Sequence, residues 1–412
     1  MINYEEFSLD NGLKVIVHED HSLPIAVLNI LYNVGSRDES EDKTGFAHLF
    51  EHLMFGGSIN IKSFDEHLQK VGGENNAFTS PDITNYYISI PAANLETAFW
   101  LESDRMLSLS FEEKVLEVQR KVVIEEFKQR YLNQPYGDVW LKLRPLAYKK
   151  HPYKWPTIGK DIHHIETASM DDVRSFFNKF YIPNNATLVV AGDVYAKPVM
   201  KLANKWFGPI PAGERYKRKL PEEPTQIEAR RQITEANVPL DAIYMTFHMP
   251  GRLDTDYHVV DLISDILGRG KTSRLYQSLV KEKNIFNSIN AYVTGSIDPG
   301  LLVISGKIKN GISQDAAESE VNVIIEDLVK NGLNKEELQK VKNQAYTSLA
   351  FQDVELLNRA MNLAHFSNMK DPGLLNKEKA RIESINIDEL LKAGKEIFNL
   401  SNRNILNYNS IK

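Results

Sequence analysis

The sequence predicts an α+β protein made of two homologous, α/β-sandwich-like halves, each a mostly antiparallel sheet covered by helices, folded face to face. A faint internal repeat is the first reason. Residues 26–35 align with residues 242–251 at an offset of 216 (242 − 26), and residues 76–78 align with residues 290–292 at an offset of 214 (290 − 76). Such constant offsets over long spans indicate two copies of one unit. Size is the second reason, because 412 residues with 42% hydrophobic content can bury the cores of two or more domains.

The domain limits follow from the composition between the two copies. Residues 208–224 are rich in Pro, Gly and charged residues, which is typical of a linker. We therefore predict an N-terminal domain at 1–212, a linker at 213–228 and a C-terminal domain at 229–412. The strand-like run at 25–34 would be a buried strand of the first sheet.

Composition excludes several classes of protein. The formal net charge is −6 and the charges are dispersed, so nothing favours nucleic acid as a partner. The apolar run 25–34 is too short to span a bilayer, and we expect no membrane association. No basic, hydrophobic leader precedes the first predicted strand, so we expect a cytoplasmic protein, with the periplasm as the alternative. The chain has no cysteine, which leaves no disulfides and no thiolate metal ligands.

The segment His48-Leu49-Phe50-Glu51-His52 carries the most chemical information. On a helix, His48 and His52 lie about 40° apart and Glu51 about 60° to the other side of His48, so one face presents all three. The apolar neighbours lie on the opposite side. We predict that Thr44 caps this helix and that Gly56-Gly57 ends it.

These residue types suit a catalytic zinc site. Imidazole nitrogens bind zinc, and a catalytic site keeps one position open for water. Glu51 could then take a proton from that water and pass it to the leaving amine. The alternative is a polar helix face that carries two histidines for no catalytic reason.

A third ligand is expected from the helix predicted at 112–130. Its apolar residues fall on one broad arc that would face the core: Val115, Leu116, Val118, Val122, Val123 and Phe127. Glu126 falls inside this arc, where burial of an unpaired carboxylate would cost roughly several kcal/mol of stability. A metal ion would remove that cost, and the alternative is a salt bridge to a buried Arg or Lys.

Together these motifs resemble the pitrilysin, insulinase and mitochondrial processing peptidase superfamily, the inverzincins, in its short two-domain bacterial form. His48-xx-Glu51-His52 is followed 74 positions after His52 (126 − 52) by the second Glu of Val123-Ile124-Glu125-Glu126. The opening residues 7–15 and the residues 72–79 are similar to the family's first strands. The resemblance covers nearly the whole chain, and it implies that the two domains form one half of a clamshell.

The resemblance implies a role for particular residues. His48, His52 and Glu126 would bind one Zn²⁺ per chain, and Glu51 would be the general base. Asn76 and Ala77 would lie on a strand that pairs with the substrate backbone. Many members of the family have a glutamate seven residues before the third ligand, where this chain has Gln119, which can hydrogen-bond but supplies no charge.

The second half lacks the metal motif. At an offset of about 213, Asp261, Ser264 and Asp265 stand where the first half has His48, Glu51 and His52. Arg274 resembles a family arginine that positions substrate together with a tyrosine thirteen residues later. Here that later position is Asn287. A plain surface or salt-bridge role for Arg274 is the alternative.

Family members of this length carry half of a closed chamber and pair with a second chain of the same shape. The resemblance therefore implies a zinc endopeptidase that cleaves unstructured peptides. A heterodimer with a homologous chain is our first expectation and a homodimer the second. The competing hypothesis is a non-catalytic or partner-dependent subunit that binds peptides or supports an active chain.

Overall fold

The computed structural model describes residues 1–411, which form two mixed sheets. The first sheet contains β1 (Glu5–Ser8), β2 (Lys14–Glu19), β3 (Ile25–Tyr32), β4 (Glu74–Thr79), β5 (Thr84–Pro91) and β6 (Ala186–Gly192). The second contains β7 (Arg230–Ala236), β8 (Ala242–Met249), β9 (Phe286–Val293), β10 (Gly300–Ile308) and β11 (Arg403–Ser410). The buried strand predicted at 25–34 is therefore present as β3.

Helices surround both sheets. They are α1 (Phe46–Leu53), α2 (Phe64–Gln69), α3 (Leu95–Leu107), α4 (Glu113–Phe127), α5 (Val139–Ala147), α6 (Ile162–Glu166), α7 (Met170–Phe180), α8 (Ala196–Phe207), α9 (Tyr257–Gly268), α10 (Gln314–Asn331), α11 (Lys335–Gln352), α12 (Leu356–Asn368), α13 (Glu378–Ser384) and α14 (Ile387–Ile397). Short π-helical turns follow α4 and precede β9. None of the helices within residues 1–411 combines the length and the apolar character that a membrane crossing needs.

The two sheets have the same strand order. The first runs β1-β2-β6-β3-β5-β4 and the second β7-β11-β8-β10-β9, so β1 is an addition to a shared five-strand pattern. In each sheet one pair is parallel, β2 with β6 and β7 with β11, and the other pairs are antiparallel. This match confirms the predicted fold class of two homologous, mostly antiparallel halves.

The chain forms two compact units, and each unit consists of three separate segments of the sequence. The first unit comprises residues 1–129, 155–221 and 350–377, and the second comprises 130–154, 222–349 and 378–412. The predicted domain limits of 1–212, 213–228 and 229–412 stay a prediction, since these units are defined by contacts alone.

Each unit contains one helix from the opposite half of the sequence. In the first unit, α12 packs through buried Ala360, Leu363 and Ala364 on a sheet face that includes Val27 and Leu31. In the second unit, α5 packs on the sheet through residues such as Val139 and Leu143. Both sheets are therefore completed by a helix that is distant in sequence.

Candidate active site

Helix α1 carries the histidines, and its start is fixed by residues outside it. Gly45 precedes the helix with φ of 89°, a left-handed conformation that glycine adopts without strain. The Glu39 carboxylate accepts hydrogen bonds from the backbone N–H of Gly45 (2.9 Å) and of Ala47 (2.8 Å). Two N–H groups that the helix cannot satisfy internally are thus paired.

Thr44 does not cap this helix, so that prediction was wrong. Gly45 occupies the N-cap position, and the Thr44 hydroxyl instead lies 2.9 Å from Nδ1 of His164. The physical reason is that Glu39 already satisfies the first N–H groups of α1. Burial raises the pKa of Glu39 to about 8, against the opposing effect of those two N–H donors. The role of Glu39 was not predicted from the sequence, although a carboxylate near the start of a helix is stabilising there.

The three predicted metal ligands come together. Nε2 of His48 lies 3.6 Å from Oε2 of Glu126, and Nε2 of His52 lies 3.4 Å from the same oxygen. One ligand atom from each of the three residues lies within 4.8 Å of the other two. Ligands about 2.0–2.1 Å from a tetrahedral zinc ion are roughly 3.3 Å apart, so two nitrogens and one carboxylate oxygen fit that ion.

Helix α4 presents Glu126 to the histidines from a face next to the core. Leu116, Val123 and Phe127 form the buried stripe, as predicted. However, Val118 and Val122 are 49% and 44% exposed, so their predicted core role was wrong. The apolar arc spans two stripes of the helix. One packs on the core, and the other, about 100° away, contains Val122 and Glu126. The second stripe remains open to solvent beside the ligand.

Glu51 lies on α1 and is held from the adjacent strand. The Thr79 hydroxyl on β4 donates a 2.6 Å hydrogen bond to Oε2 of Glu51. This bond restricts the rotamer of the carboxylate that neighbours the ligands. Thr79 ends the segment 72–79, which resembles the family, but its position in the sequence did not indicate a contact with Glu51.

Asn76 and Ala77 lie on β4, which is the edge strand of the first sheet. Their strand pairs with β5 on one side, with Asn76 opposite Tyr87 and Ala77 opposite Tyr86. An edge strand presents unpaired backbone groups on its other side. The same strand ends at Thr79, so it leads directly to Glu51. The substrate-binding role of Asn76 and Ala77 stays a prediction.

Buried side chains of the first unit, including Tyr86 of β5, pack against α1. The Tyr86 hydroxyl donates to the backbone oxygen of Phe50 at 3.4 Å, and burial raises the pKa of Tyr86 well above its usual value. The guanidinium of Arg105 lies 4.4 Å from the centre of the Tyr86 ring and is bound by the buried carboxylate of Glu102. Helix α1 therefore packs on a buried cluster in which the charge of Arg105 is paired with that of Glu102.

Two further predicted residues are placed as follows. Gln119 lies on α4 two turns before Glu126, on the same face and half-buried. Arg274 donates from Nε and Nη2 to the two carboxylate oxygens of Glu337, at 2.8 and 2.7 Å, and also contacts Asp327 at 3.1 Å. These contacts match the salt-bridge role that we gave as the alternative for Arg274. A substrate role for Arg274 stays a prediction.

The second unit has no counterpart of the histidine pair. Asp261, Ser264 and Asp265 lie on α9, as the internal repeat predicted. Burial raises the pKa of Asp261 to about 6, and the nearby Asp265 adds to this effect. Within residues 1–411, His48, His52 and Glu126 are the cluster of this kind that could hold a metal ion.

Comparison with known proteins identifies the family of the chain. The model of the family described as Insulinase (Peptidase family M16) matches residues 14–160, and that of the Peptidase M16 inactive domain matches residues 167–345. The zinc protease PqqE of Helicobacter pylori is 31% identical over 345 residues, which are 82% of this chain and 78% of that protein. The chain therefore belongs to peptidase family M16, and the predicted superfamily is confirmed.

Two other relatives extend the match over nearly the whole chain. The uncharacterized zinc protease YmxG of Bacillus subtilis is 26% identical over 387 residues, which are 93% of this chain and 91% of that protein. The crystal structure of a protease from Helicobacter pylori superposes with a TM-score of 0.93 at 28% identity, covering 99% of this chain and 100% of that one. All three of these relatives are named as proteases, and PqqE and YmxG are named as zinc proteases.

Proposed function

We propose that this chain is a zinc-dependent endopeptidase that cleaves unstructured oligopeptides with one Zn²⁺ per chain. The observation that carries the proposal is the spacing of the three ligand atoms, 3.4 and 3.6 Å across two edges, next to the carboxylate of Glu51. A purely structural zinc site has four protein ligands and needs no base. Three ligands beside a glutamate suit catalysis instead.

The residues of the site have separate roles in this proposal. Bound zinc would supply Lewis-acid activation of a water molecule and of the scissile carbonyl. Glu51 accepts the proton of the attacking water and later donates it to the leaving amine. Thr79 holds the Glu51 carboxylate in place through its hydroxyl. His48, His52 and Glu126 would hold the ion, with both histidines placed one turn apart on α1.

The open edge of β4 supports an extended peptide as the substrate. A peptide that adds to β4 gains main-chain hydrogen bonds with little side-chain preference, and its backbone passes Ala77 and Thr79 on the way to Glu51. Val118 and Val122 offer apolar surface beside the ligand. An unstructured peptide can extend along such an edge without unfolding first, so unstructured peptides are the favoured substrates.

The decisive experiment compares the wild type with Glu51→Gln. We expect the variant to retain stoichiometric zinc by atomic absorption but to cleave a mixed peptide library at least about 100-fold more slowly, because the proton acceptor is lost. Chelation should abolish wild-type cleavage. Equal cleavage by both proteins would show that Glu51 is not the base.

The assembly is a second part of the proposal. We propose that the chain acts with a second chain of the same shape, a homologous one first and a copy of itself second. Arg274 is engaged by Glu337 and Asp327, and position 287 is Asn, so the arginine and tyrosine pair of the family is incomplete at these two positions. Another chain would have to supply a complete pair.

Cleavage by the purified chain in the peptide assay tests this assembly, together with its mass in solution by light scattering. An active dimer supports the homodimer. A zinc-loaded chain that cleaves nothing alone, but cleaves once a co-purifying homologous chain is added, supports the heterodimer. A chain that binds zinc and peptides yet remains inactive in every combination would instead support the non-catalytic, peptide-binding role.

A further inference from the structure

A cavity of about 410 Å³ lies in the second unit, on the face of the sheet opposite its main core. Polar side chains from three adjacent strands line it, namely Tyr244, Asn290, Ser305 and Lys307, together with Lys271 and Tyr276 from the segment after α9. Strand register explains the grouping, because Ser305 of β10 pairs with Tyr244 of β8 and with Asn290 of β9. The main core of this unit uses the alternate residues, such as Ile243 and Ile304.

Lys307 is the unusual member of this group. It is half-buried, and burial is the cause that lowers its pKa, to about 8. Its Nζ donates a 2.8 Å hydrogen bond to the Tyr244 hydroxyl and lies over the ring of Tyr136. Tyr136 is itself fixed, because its hydroxyl donates to the backbone oxygen of Leu240. No carboxylate forms an ion pair with Lys307 in the part of the chain that the structure describes.

The remaining groups in the cavity offer hydrogen-bond donors. The Tyr244 hydroxyl accepts from Lys307, so its own proton is available for a ligand. Ser305 donates to Oδ1 of Asn290 at 2.5 Å, which leaves the Asn290 amide N–H groups to donate elsewhere. Lys271 adds a second positive charge, and the lining contains no acidic residue. Such a set of donors and cations selects an anion.

We propose that this cavity binds the carboxylate of a peptide or of a small organic acid, held by Lys307, Tyr244 and Asn290. A lysine beside hydroxyl and amide donors can serve the two oxygens of one carboxylate. The Tyr276 ring lining the same cavity offers apolar surface to the organic body of such a ligand, which a free phosphate ion would not use. The carboxylate can come from a peptide C-terminus or from an acidic side chain. The inference is independent of the proposed peptidase activity, because the metal ligands all belong to the first unit.

Calorimetry on the zinc-loaded full-length Glu51→Gln variant tests the proposal without cleavage of the probes. The probes are N-acetyl-Ala-Tyr with a free C-terminus, the same dipeptide as its C-terminal amide, N-acetyl-Glu amide, and inorganic phosphate. We expect the first probe to bind if the site recognises a C-terminus, or the third if it recognises an acidic side chain. The uncharged amide should bind at least about tenfold more weakly, since a charged hydrogen bond is lost.

Adding Lys307→Met to this background should weaken carboxylate binding at least about tenfold. The matched control is Lys309→Met, because Lys309 follows β10 and bonds to Asn284 outside the cavity. Carboxylate binding that is unchanged by Lys307→Met would overturn the proposal. Binding of phosphate alone, with no binding of either carboxylate, would overturn it as well.

A second measurement needs no substitution at Lys307 and therefore does not depend on folding of that variant. Trinitrobenzenesulfonate labels uncharged lysine amines, and mass spectrometry can report labelling at Lys307 and Lys309 separately. The bound carboxylate should slow labelling of Lys307 by about tenfold at pH 8, while Lys309 reacts at an unchanged rate. Equal labelling of Lys307 with and without a saturating carboxylate would contradict the proposal.

Discussion

At the scale of single residues, Glu39 and Thr79 support the histidine helix α1 and its Glu51 side chain without belonging to the proposed ligand set. Glu39 binds the first N–H groups of α1, and Thr79 binds the Glu51 carboxylate. One sets where the helix begins and the other sets the direction of the base. Supporting groups of this kind often determine how well a metal site works.

Replacing Thr79 by Val should lower kcat about tenfold, since the hydrogen bond that holds Glu51 is lost while the shape of the side chain is kept. Metal content should stay at one zinc per chain, because no ligand is changed. Steady-state kinetics with a fluorogenic peptide and metal analysis would measure both effects. Thr79→Ser, which keeps the hydroxyl, should restore most of kcat. A variant with wild-type kcat would show that the bond is not used.

Replacing Glu39 by Ala should destabilise the protein by about 2 kcal/mol, because two buried backbone N–H groups lose their acceptor. Denaturation in urea would give the change in the free energy of unfolding. Glu41→Ala is the matched control, since the Glu41 side chain is 59% exposed. Equal stability of both variants would mean that water replaces the Glu39 carboxylate without cost.

At the scale of elements, α12 is fixed on the first sheet by both apolar and charged contacts. Leu363 is fully buried in the interface with the sheet. Arg359 of the same helix donates a 2.5 Å hydrogen bond to Asp20, which follows β2. The apolar stripe supplies most of the attachment, and the ion pair sets the orientation of the helix.

The Asp20 contact should make stability depend on pH. Hydrogen bonds from Ser22 and then from Arg359 lower the pKa of Asp20 to about 2, below its ordinary value of 3.8. A lowered carboxyl pKa contributes stability above the ordinary value, and that contribution is lost as the pH falls through the folded pKa. Asp20→Asn should therefore cost about 1 kcal/mol at pH 7, after allowance for solvent screening, and less at pH 3. Urea denaturation at both pH values would measure the two differences, and a constant difference would contradict the expectation.

At the scale of the whole molecule, two units with the same strand order have acquired different chemistry. The first unit holds the histidine pair on α1, and the second carries aspartates on the related helix α9. The second unit offers instead the lysine-lined cavity on its sheet. Only the first of the two related units therefore presents the histidine pair within the described residues.

Metal binding should stabilise one unit only. All three ligands belong to the first unit, so zinc should raise the melting temperature of one calorimetric transition and leave a second unchanged. A metal that binds only the folded state adds about 2.7 kcal/mol when its free concentration is 100 times Kd. Scanning calorimetry with zinc and with a chelator would show this. A single transition that moves as a whole would mean that the two units unfold together.

The sequence predicted the local features better than the long-range ones. The histidine helix, the acidic ligand helix, the edge strand and the duplicated sheets all follow from periodicity, motif spacing and the family resemblance. The capping role of Glu39 and the exposure of Val118 and Val122 did not follow, because each depends on what another segment places next to it. The placement of α5 and α12 was equally hidden, since nothing in an apolar stripe says which sheet it will cover.

The placement of α12 has a consequence for how the protein is made. The last strand of the first sheet, β6, is synthesised more than 150 residues (350 − 192 = 158) before residues 350–377, which cover one face of that sheet. Until then the nascent protein exposes Val27, Leu31 and their apolar neighbours. Completion of the first unit is therefore delayed until residues 350–377 have been made, and a chain terminated before them carries an uncovered, aggregation-prone sheet.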